Sequence, residues 1–397
     1  MTAMMPDPPE PARSVVAAAE QLLAKRYGVV VRLADPEDLG GSGQAIVLRV
    51  RVAESPIRLS RTLIIKQIHD RTRSPRNGQT HVESFLREAV SYQFANSLDA
   101  RHRPGPELLA HDLDQHLLIL SDLGDVPTLG AVVQEEQGAD TTNVLMGLAQ
   151  SLGRMHAATA GRSEDFGALL RRARSRFPMS PDLPPEPFLD ALREAPRLLA
   201  DRLGVATPAG IQQRVNGYAE LLTSTSYRAF SPGDLCPDNI VVSASGIRFL
   251  DYESGGFRDA TLDLGCLLVS FPQCSCDLGL APEQADAMVD AWLAEVEGVW
   301  PQLREGDLLR DRLLAARTVW VWLSTAWHLP DDYSRRAAER EHSRARPAAQ
   351  ALESRWAGLA LAADTAGAED LAQHATEVMD ALSGQRSPFA RRSARIR

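Results

Sequence analysis

Lysine is almost missing from this 397-residue chain: Lys25 and Lys66 are the only two, and every other basic side chain except histidine is arginine. Cysteine is scarce as well. The four thiols, Cys236, Cys266, Cys274 and Cys276, include no C-x-x-C pair and no histidine spacing of the kind a zinc site uses, so reduced thiols in a cytoplasmic protein are expected. A basic surplus is absent too. The formal charge of −9 argues against a chain-wide affinity for nucleic acid or anionic membranes, which reward positive surfaces. No long apolar run is free of charge: "LLAARTVWVWLSTAWHL" contains Arg317 and runs straight into "PDDYSRR", which reads as a buried helix and not a membrane span. The opening "MTAMMPDPPEPARS" lacks the basic region and apolar core of a signal peptide and reads as a flexible leader over 1–14. The one basic cluster, "RSPFARRSARIR", reads as a solvated tail over 386–397. No internal repeat is visible, and no glycine cluster is followed by the G-K-[ST] of a Walker loop.

What is present is a globular composition, 44% apolar, long enough for two or three lobes with cores of their own. From about Tyr27 to Leu120 the pattern is strand-rich: "YGVVVRL", "QAIVLRVRVA", "RTLIIKQI", "ELLAHDL" and "HLLILSD". One helix interrupts it, "HVESFLREAVSYQFANSL", whose Phe85, Val90, Tyr92 and Phe94 share a broad apolar face. After "SDLGDVP" the character turns helical, with "TTNVLMGLAQSLGRMHAAT" the clearest case and "SRFPMSPDLPPEP" a proline-rich connection. The expected organisation is α+β: a sheet-containing lobe over 15–121, a hinge at 122–126 and a larger helical lobe over 127–385.

The chemistry concentrates in "FSPGDLCPDNIVVSASGIRFLDYES". A loop aspartate (Asp234), an asparagine five residues on (Asn239) and an aspartate after a hairpin (Asp251) are the ingredients with which phosphotransferases orient a hydroxyl and neutralise phosphate charge. Hard cations such as Mg²⁺ take oxygen ligands, which fits Asn239 and Asp251 and leaves Asp234 as a base. In a chain so biased toward arginine, Lys66 inside a strand suggests a need for a compact ammonium that a guanidinium does not mimic. Gly40, Gly41 and Gly43, with Ser42 among them, form a strand-to-strand turn where backbone amides can approach phosphates. His111, His116 and His156 sit on apolar segments without metal spacing and read as packing or surface residues. Cys236 reads as a small loop-filling side chain, and Trp320 and Trp327, seven apart on one helix face near Asp331, Asp332 and Tyr333, read as core.

"PGDLCPDNI" followed by "IRFLDYESGGFRDATLDLG" resembles the catalytic core of the aminoglycoside phosphotransferase and choline kinase-like family, and the likeness runs from about Leu39 to Ser270. The resemblance implies a bilobal protein-kinase-like fold, with a small antiparallel-sheet N-lobe that binds nucleotide and a larger, mainly helical C-lobe. By the same match Asp234 is the catalytic base, Asn239 and Asp251 bind Mg²⁺, and Asp263 braces the loop. Lys66 reaches the nucleotide phosphates, held by the helix residue Glu88, with Glu83 the lesser alternative. Ser121, Asp122 and Leu123 fall on the family's adenine-contacting hinge, and the nucleotide is ATP by family prior, with GTP left open. The acceptor side falls at roughly 180–216 and 282–346. One departure stands out: the family's loop histidine is replaced by Pro232. The expected function is ATP- and Mg²⁺-dependent phosphorylation of a hydroxyl on a small molecule, an aminoglycoside-like antibiotic or another metabolite, without nucleic-acid or membrane partners. A non-catalytic nucleotide-binding pseudokinase is the alternative that Pro232 favours. The joint presence of Lys66, Glu88, Asp234, Asn239 and Asp251 opposes it, and a purely helical interaction module explains none of those spacings.

Overall fold

The structure, a computed structural model, describes residues 10–40, 45–68, 81–135, 139–177, 186–244, 246–274, 276–330 and 348–384. The expected phosphate-loop residues Gly41, Ser42 and Gly43, the start of the leader, Asp331, Asp332, Tyr333 and the basic tail lie outside them. The chain divides into two units, each taken by itself below: Met1–Val126 with Glu164–Leu183 and Leu250–Gly255, and Pro127–Ser163 with Pro184–Phe249 and Gly256–Arg397.

In the first unit, the alanine-rich helix α1 (Glu10–Tyr27) starts inside the stretch expected as leader. Its Ala12, Val15, Ala19 and Leu23 recur every three or four residues and form one apolar stripe. They pack against Val31, Leu33, Leu48, Val50, Leu63, Ile65, Leu117 and Ile119, so that α1 covers one face of the sheet. Lys25 and Arg26 lie in its last turn, where cations complement the helix dipole. The apolar "GVVV" that reads as a strand is largely the link after this helix, and strand β1 begins only at Arg32.

The sheet is antiparallel, in the order β1 (Arg32–Asp38), β2 (Ala45–Glu54), β3 (Thr62–Ile68), β5 (Leu117–Ser121), β4 (Leu108–Asp112). Pro36 sits at a register shift of β1, on an edge where a strand tolerates a residue with no N–H to donate. β3 is central, pairing Lys66 with Val47 on one side and Leu118 on the other. Because strand side chains alternate, Leu63 and Ile65 point to the α1 face and Lys66 to the opposite one. Helix α2 (His81–Ala95) meets Lys66 there, and nearly all of its residues are buried, Glu88 included. Helix α5 (Ser163–Arg174) joins this unit through Phe166, edge-on to Phe94 at 5.7 Å between ring centroids.

In the second unit, α3 (Leu129–Glu135) and α4 (Ala139–Thr159) precede α6 (Glu186–Leu198) and α7 (Ala209–Tyr218). Two small antiparallel pairs follow, β6 (Arg228–Ser231) with β9 (Gly256–Asp259) and β7 (Ile240–Ser243) with β8 (Gly246–Phe249). The core is helical: α8 (Ala260–Leu268), α9 (Pro282–Val296) and α10 (Leu308–His328), then the antiparallel pair α11 (Ala348–Thr365) and α12 (Glu369–Gly384). After a charged first turn with Arg310, Asp311 and Arg312, α10 is mostly apolar and largely buried from Leu313 to Thr325, as a helix enclosed by others must be. Trp320 is core, its indole N–H donating to the Leu262 carbonyl at 2.7 Å, and its ring meets that of Trp327 at a tilt of 59° with centroids 6.4 Å apart. Among the described residues no helix is long and apolar enough to cross a membrane.

Candidate active site

The loop after β6 is shaped by residues that have no alternative there. Gly233 has φ +90°, a conformation glycine adopts without the penalty of a Cβ. Its N–H donates to Ser231 Oγ at 3.1 Å, and the Ser231 hydroxyl donates to Asp263 Oδ1 at 2.8 Å. Asp234 follows, half-buried, with Oδ1 accepting from the Cys236 N–H at 3.2 Å. A single 3₁₀ turn, Pro237–Asn239, closed by Asn239 N–H to the Cys236 carbonyl at 2.8 Å, then delivers the chain into β7 with Asn239 half-buried at its start. Gln273 holds the loop from another side, its amide donating to the Gly233 carbonyl at 2.9 Å.

Asp263 anchors this arrangement. It is 1% exposed, and its second oxygen, Oδ2, lies 3.2 Å from His156 Nε2. The Trp292 indole nitrogen is 3.0 Å from His156 Nδ1. An indole nitrogen only donates, so Nδ1 is the acceptor and Nε2 carries the proton that His156 gives to Asp263. The chain of bonds Trp292, His156, Asp263, Ser231, Gly233 thus runs from helix α9 through α4 and α8 into the loop. The sequence reading gave His156 only a packing or surface role and did not single out Ser231, Trp292 or Gln273. Their partners are up to 136 residues away along the chain, which no local spacing reveals.

In the first unit, Lys66 Nζ lies 2.9 Å from Glu88 and 2.7 Å from Asp251 Oδ1, so three residues singled out from distant segments meet at one ammonium. The carboxylate opposite Lys66 on α2 is Glu88; Glu83 lies in the helix's first turn. Burial pulls the Lys66 ammonium down, but Asp251 and Glu88 outweigh it and hold the group charged well above its ordinary range. Burial pushes the Glu88 carboxyl up to about 8, against the pull of Lys66. Asp251 itself has φ +56° and a side chain 35% exposed, next to the fully buried Tyr252, whose ring lies 4.6 Å from Tyr92 of α2.

The expected adenine-contacting residues follow β5. The Ser121 hydroxyl accepts from the Glu107 N–H at 2.9 Å. Asp122 accepts from Arg49 Nε at 2.9 Å and from the Gly124 N–H at 2.9 Å, and Arg49 also reaches the Gly124 carbonyl at 3.0 Å. Asp122 therefore fixes the path of the chain with its side chain, and half-buried Leu123 lies within that turn. Gly40 has φ +77° and donates to Asp38 Oδ1 at 2.9 Å, the one residue of the expected phosphate loop within the described residues.

Residues 42–306, about two thirds of the chain, match the sequence model of the "Phosphotransferase enzyme family". Among solved structures, the chain is similar to a choline/ethanolamine kinase family protein from Mesorhizobium loti, at 16% identity and TM-score 0.50, covering 92% of this chain and 99% of that one. It is also similar to a choline kinase from Cryptosporidium parvum Iowa II, at 12% identity and TM-score 0.49, covering 90% and 97%. A thermostable mutant of an aminoglycoside phosphotransferase matches at 13% identity and TM-score 0.42, covering 86% and 98%. No curated protein sequence matches the chain.

Proposed function

This chain belongs to the phosphotransferase enzyme family, and from that premise we propose that it transfers the γ-phosphoryl group of ATP, with Mg²⁺, to a hydroxyl of a small molecule in the cytoplasm. The observation that carries the reading is Lys66 held at 2.9 Å by Glu88 and at 2.7 Å by Asp251, a half-buried cation fixed between two acidic side chains and available to phosphate oxygens. A guanidinium would be larger and planar, consistent with a lysine here in a chain otherwise furnished with arginine.

Asp234 is the base in this reading. It accepts the proton of the acceptor hydroxyl as the new O–P bond forms and the bond to the leaving nucleoside diphosphate breaks. The loop bonds through Ser231, Asp263 and Gln273 hold its backbone, so that its carboxylate is positioned before substrate arrives. Asn239 and Asp251 offer an amide and a carboxylate oxygen, the hard donors that Mg²⁺ prefers, and the partial exposure of Asp251 leaves it open to a ligand. Bound Mg²⁺ supplies charge neutralisation on the phosphates. Pro232 in place of the family histidine is compatible with this role, because the Ser231 hydroxyl and the Gly233 N–H supply the polar link to Asp263. Ser121, Asp122 and Leu123 take the adenine side and the turn beginning at Gly40 the phosphate side. The acceptor is an aminoglycoside-like antibiotic or another hydroxyl-bearing metabolite.

A screen of hydroxyl compounds with ATP and Mg²⁺, read by mass, tests the reading: a product heavier by one phosphoryl group is expected for at least one class. Mg·ATP that neither binds nor stabilises the folded chain in a thermal-shift titration would contradict it.

A further inference from the structure

The sequence offers no zinc spacing, yet folding brings three of the four cysteines together. The Sγ atoms of Cys236, Cys274 and Cys276 all lie within 4.8 Å of one another, and the residues are 6%, 4% and 1% exposed. Cys236 belongs to the loop of Asp234; Cys274 and Cys276 belong to the segment after α8. We propose that these three thiols form a site for a soft, thiophilic metal ion of the zinc class, which clamps the Asp234 loop to Cys274 and Cys276. The proposal does not rest on the phosphotransferase reading, and the site is distinct in ligand chemistry from any Mg²⁺ site, because Mg²⁺ prefers oxygen and zinc accepts thiolate.

Three observations carry it. Zinc binds thiolate sulfur at about 2.3 Å in a tetrahedron, which puts ligand sulfurs roughly 3.8 Å apart. Three sulfurs already within 4.8 Å of one another need to close by about an ångström or less to reach that separation. The segment is also prepared for a thiolate: the Cys276 backbone N–H donates to Cys274 Sγ at 3.4 Å.

The third observation is a buried cation. Arg355, 3% exposed, makes six hydrogen bonds, to the carbonyls of Val269, Ser270, Phe271, Cys274 and Cys276 and to Ser324 Oγ; every one goes to a neutral oxygen. A buried charge is unfavourable unless it is offset, and the buried carboxylate of Asp277 supplies one opposite charge near Arg355. Three thiols that each release a proton to solvent on binding a divalent ion leave a site of net charge −1, which adds to that offset. Neutral thiols do not.

A soft ion there would tie Cys236, two residues after Asp234, to a segment that already holds the loop through Gln273. The three protein ligands leave a fourth position, which a water or a small thiol fills. Cys266, whose Sγ donates to Gln273 Oε1 at 3.8 Å, is outside the group and is an internal control.

The experiment is a titration of the reduced, metal-stripped full chain with Co²⁺, followed by Zn²⁺. One Co²⁺ per chain is expected, with a sulfur-to-cobalt charge-transfer band and tetrahedral visible bands, displaced by one equivalent of Zn²⁺ and untouched by excess Mg²⁺. Close to three protons are expected to be released per Zn²⁺ near neutral pH, a measurement on the unaltered chain that holds even where a variant fails to fold. Cys236→Ser and Cys274→Ser are each expected to lower the charge-transfer band by about a third or more and to weaken Zn²⁺ by more than the roughly 100-fold typical of losing an outer-shell partner, while Cys266→Ser keeps both. Absence of the thiolate band, a band of parental intensity in Cys236→Ser, or Zn²⁺ bound without thiol protons released would each overturn the proposal. So would a reduced chain in which Mg²⁺ displaces the ion.

Discussion

At the scale of single residues, the loop around Asp234 depends on a buried hydroxyl. Ser231 is fully buried and gives its proton to Asp263, which His156 engages on the other side. Hydrogen bonds to charged groups contribute about 1.5–3 kcal/mol, and Ser231→Ala removes one while leaving Asp263 buried. A destabilisation of about 2 kcal/mol by denaturant titration is expected, with turnover falling further as the loop loosens; an unchanged midpoint would mean that Asp263 does not depend on Ser231.

A second residue-scale expectation concerns pH. Burial raises the Glu88 carboxyl from an ordinary 4.5 to about 8. A carboxyl whose folded pKa exceeds its unfolded one binds its proton more tightly in the folded chain. The stability it contributes is therefore complete below about pH 4.5 and is lost as pH rises through about 8. Glu88→Gln, uncharged and of the same shape, should flatten that decline. Parallel melting-temperature curves for the two proteins across this window would assign the pH dependence elsewhere.

At the scale of elements, the position of Asp251 is set by a close approach. A Cβ on Gly255 would collide with Ser91 Oγ of α2 and lie 2.9 Å from the Tyr252 carbonyl, so the short segment Leu250–Gly255 passes against the helix only because residue 255 has no side chain. Overpacking of this kind typically costs about 1–3 kcal/mol. Gly255→Ala should therefore destabilise the first unit by that amount and displace Asp251 from Lys66, weakening Mg·ATP affinity as well. Loss of stability with unchanged affinity would separate the two effects and refute the coupling.

Much of this was legible beforehand. The sheet strands, the α2 helix and the "GDLCPDN" loop show directly in residue pattern, because alternation and helical spacing are local properties. What was not legible depended on tertiary meetings: Val29–Val31 look like a strand but serve as the link after α1, whose alanine-rich stripe had a sheet to cover. The assembly of Cys236 with Cys274 and Cys276 likewise joins a loop to a segment 38 residues further on, without any metal-like spacing.

At the scale of the whole molecule, family membership makes this chain a phosphotransferase, and the loop and the Lys66 cluster are where we propose that its reaction takes place. The functional reading assigns Asp234 the proton of the acceptor hydroxyl, Lys66 the phosphates, and Asn239 and Asp251 the metal. The most direct test is to compare phosphorylated product formed from an acceptor identified in the screen by the parental chain and by Asp234→Asn, with Mg·ATP affinity measured for both. Asparagine keeps the size and much of the hydrogen bonding of the side chain but cannot take the proton. General-base catalysis is worth about 10²–10⁴ in rate, so turnover is expected to fall by that factor while nucleotide affinity stays within about twofold. An Asp234→Asn chain that turns over the acceptor at the parental rate would contradict the assignment of the base and, with it, the central claim.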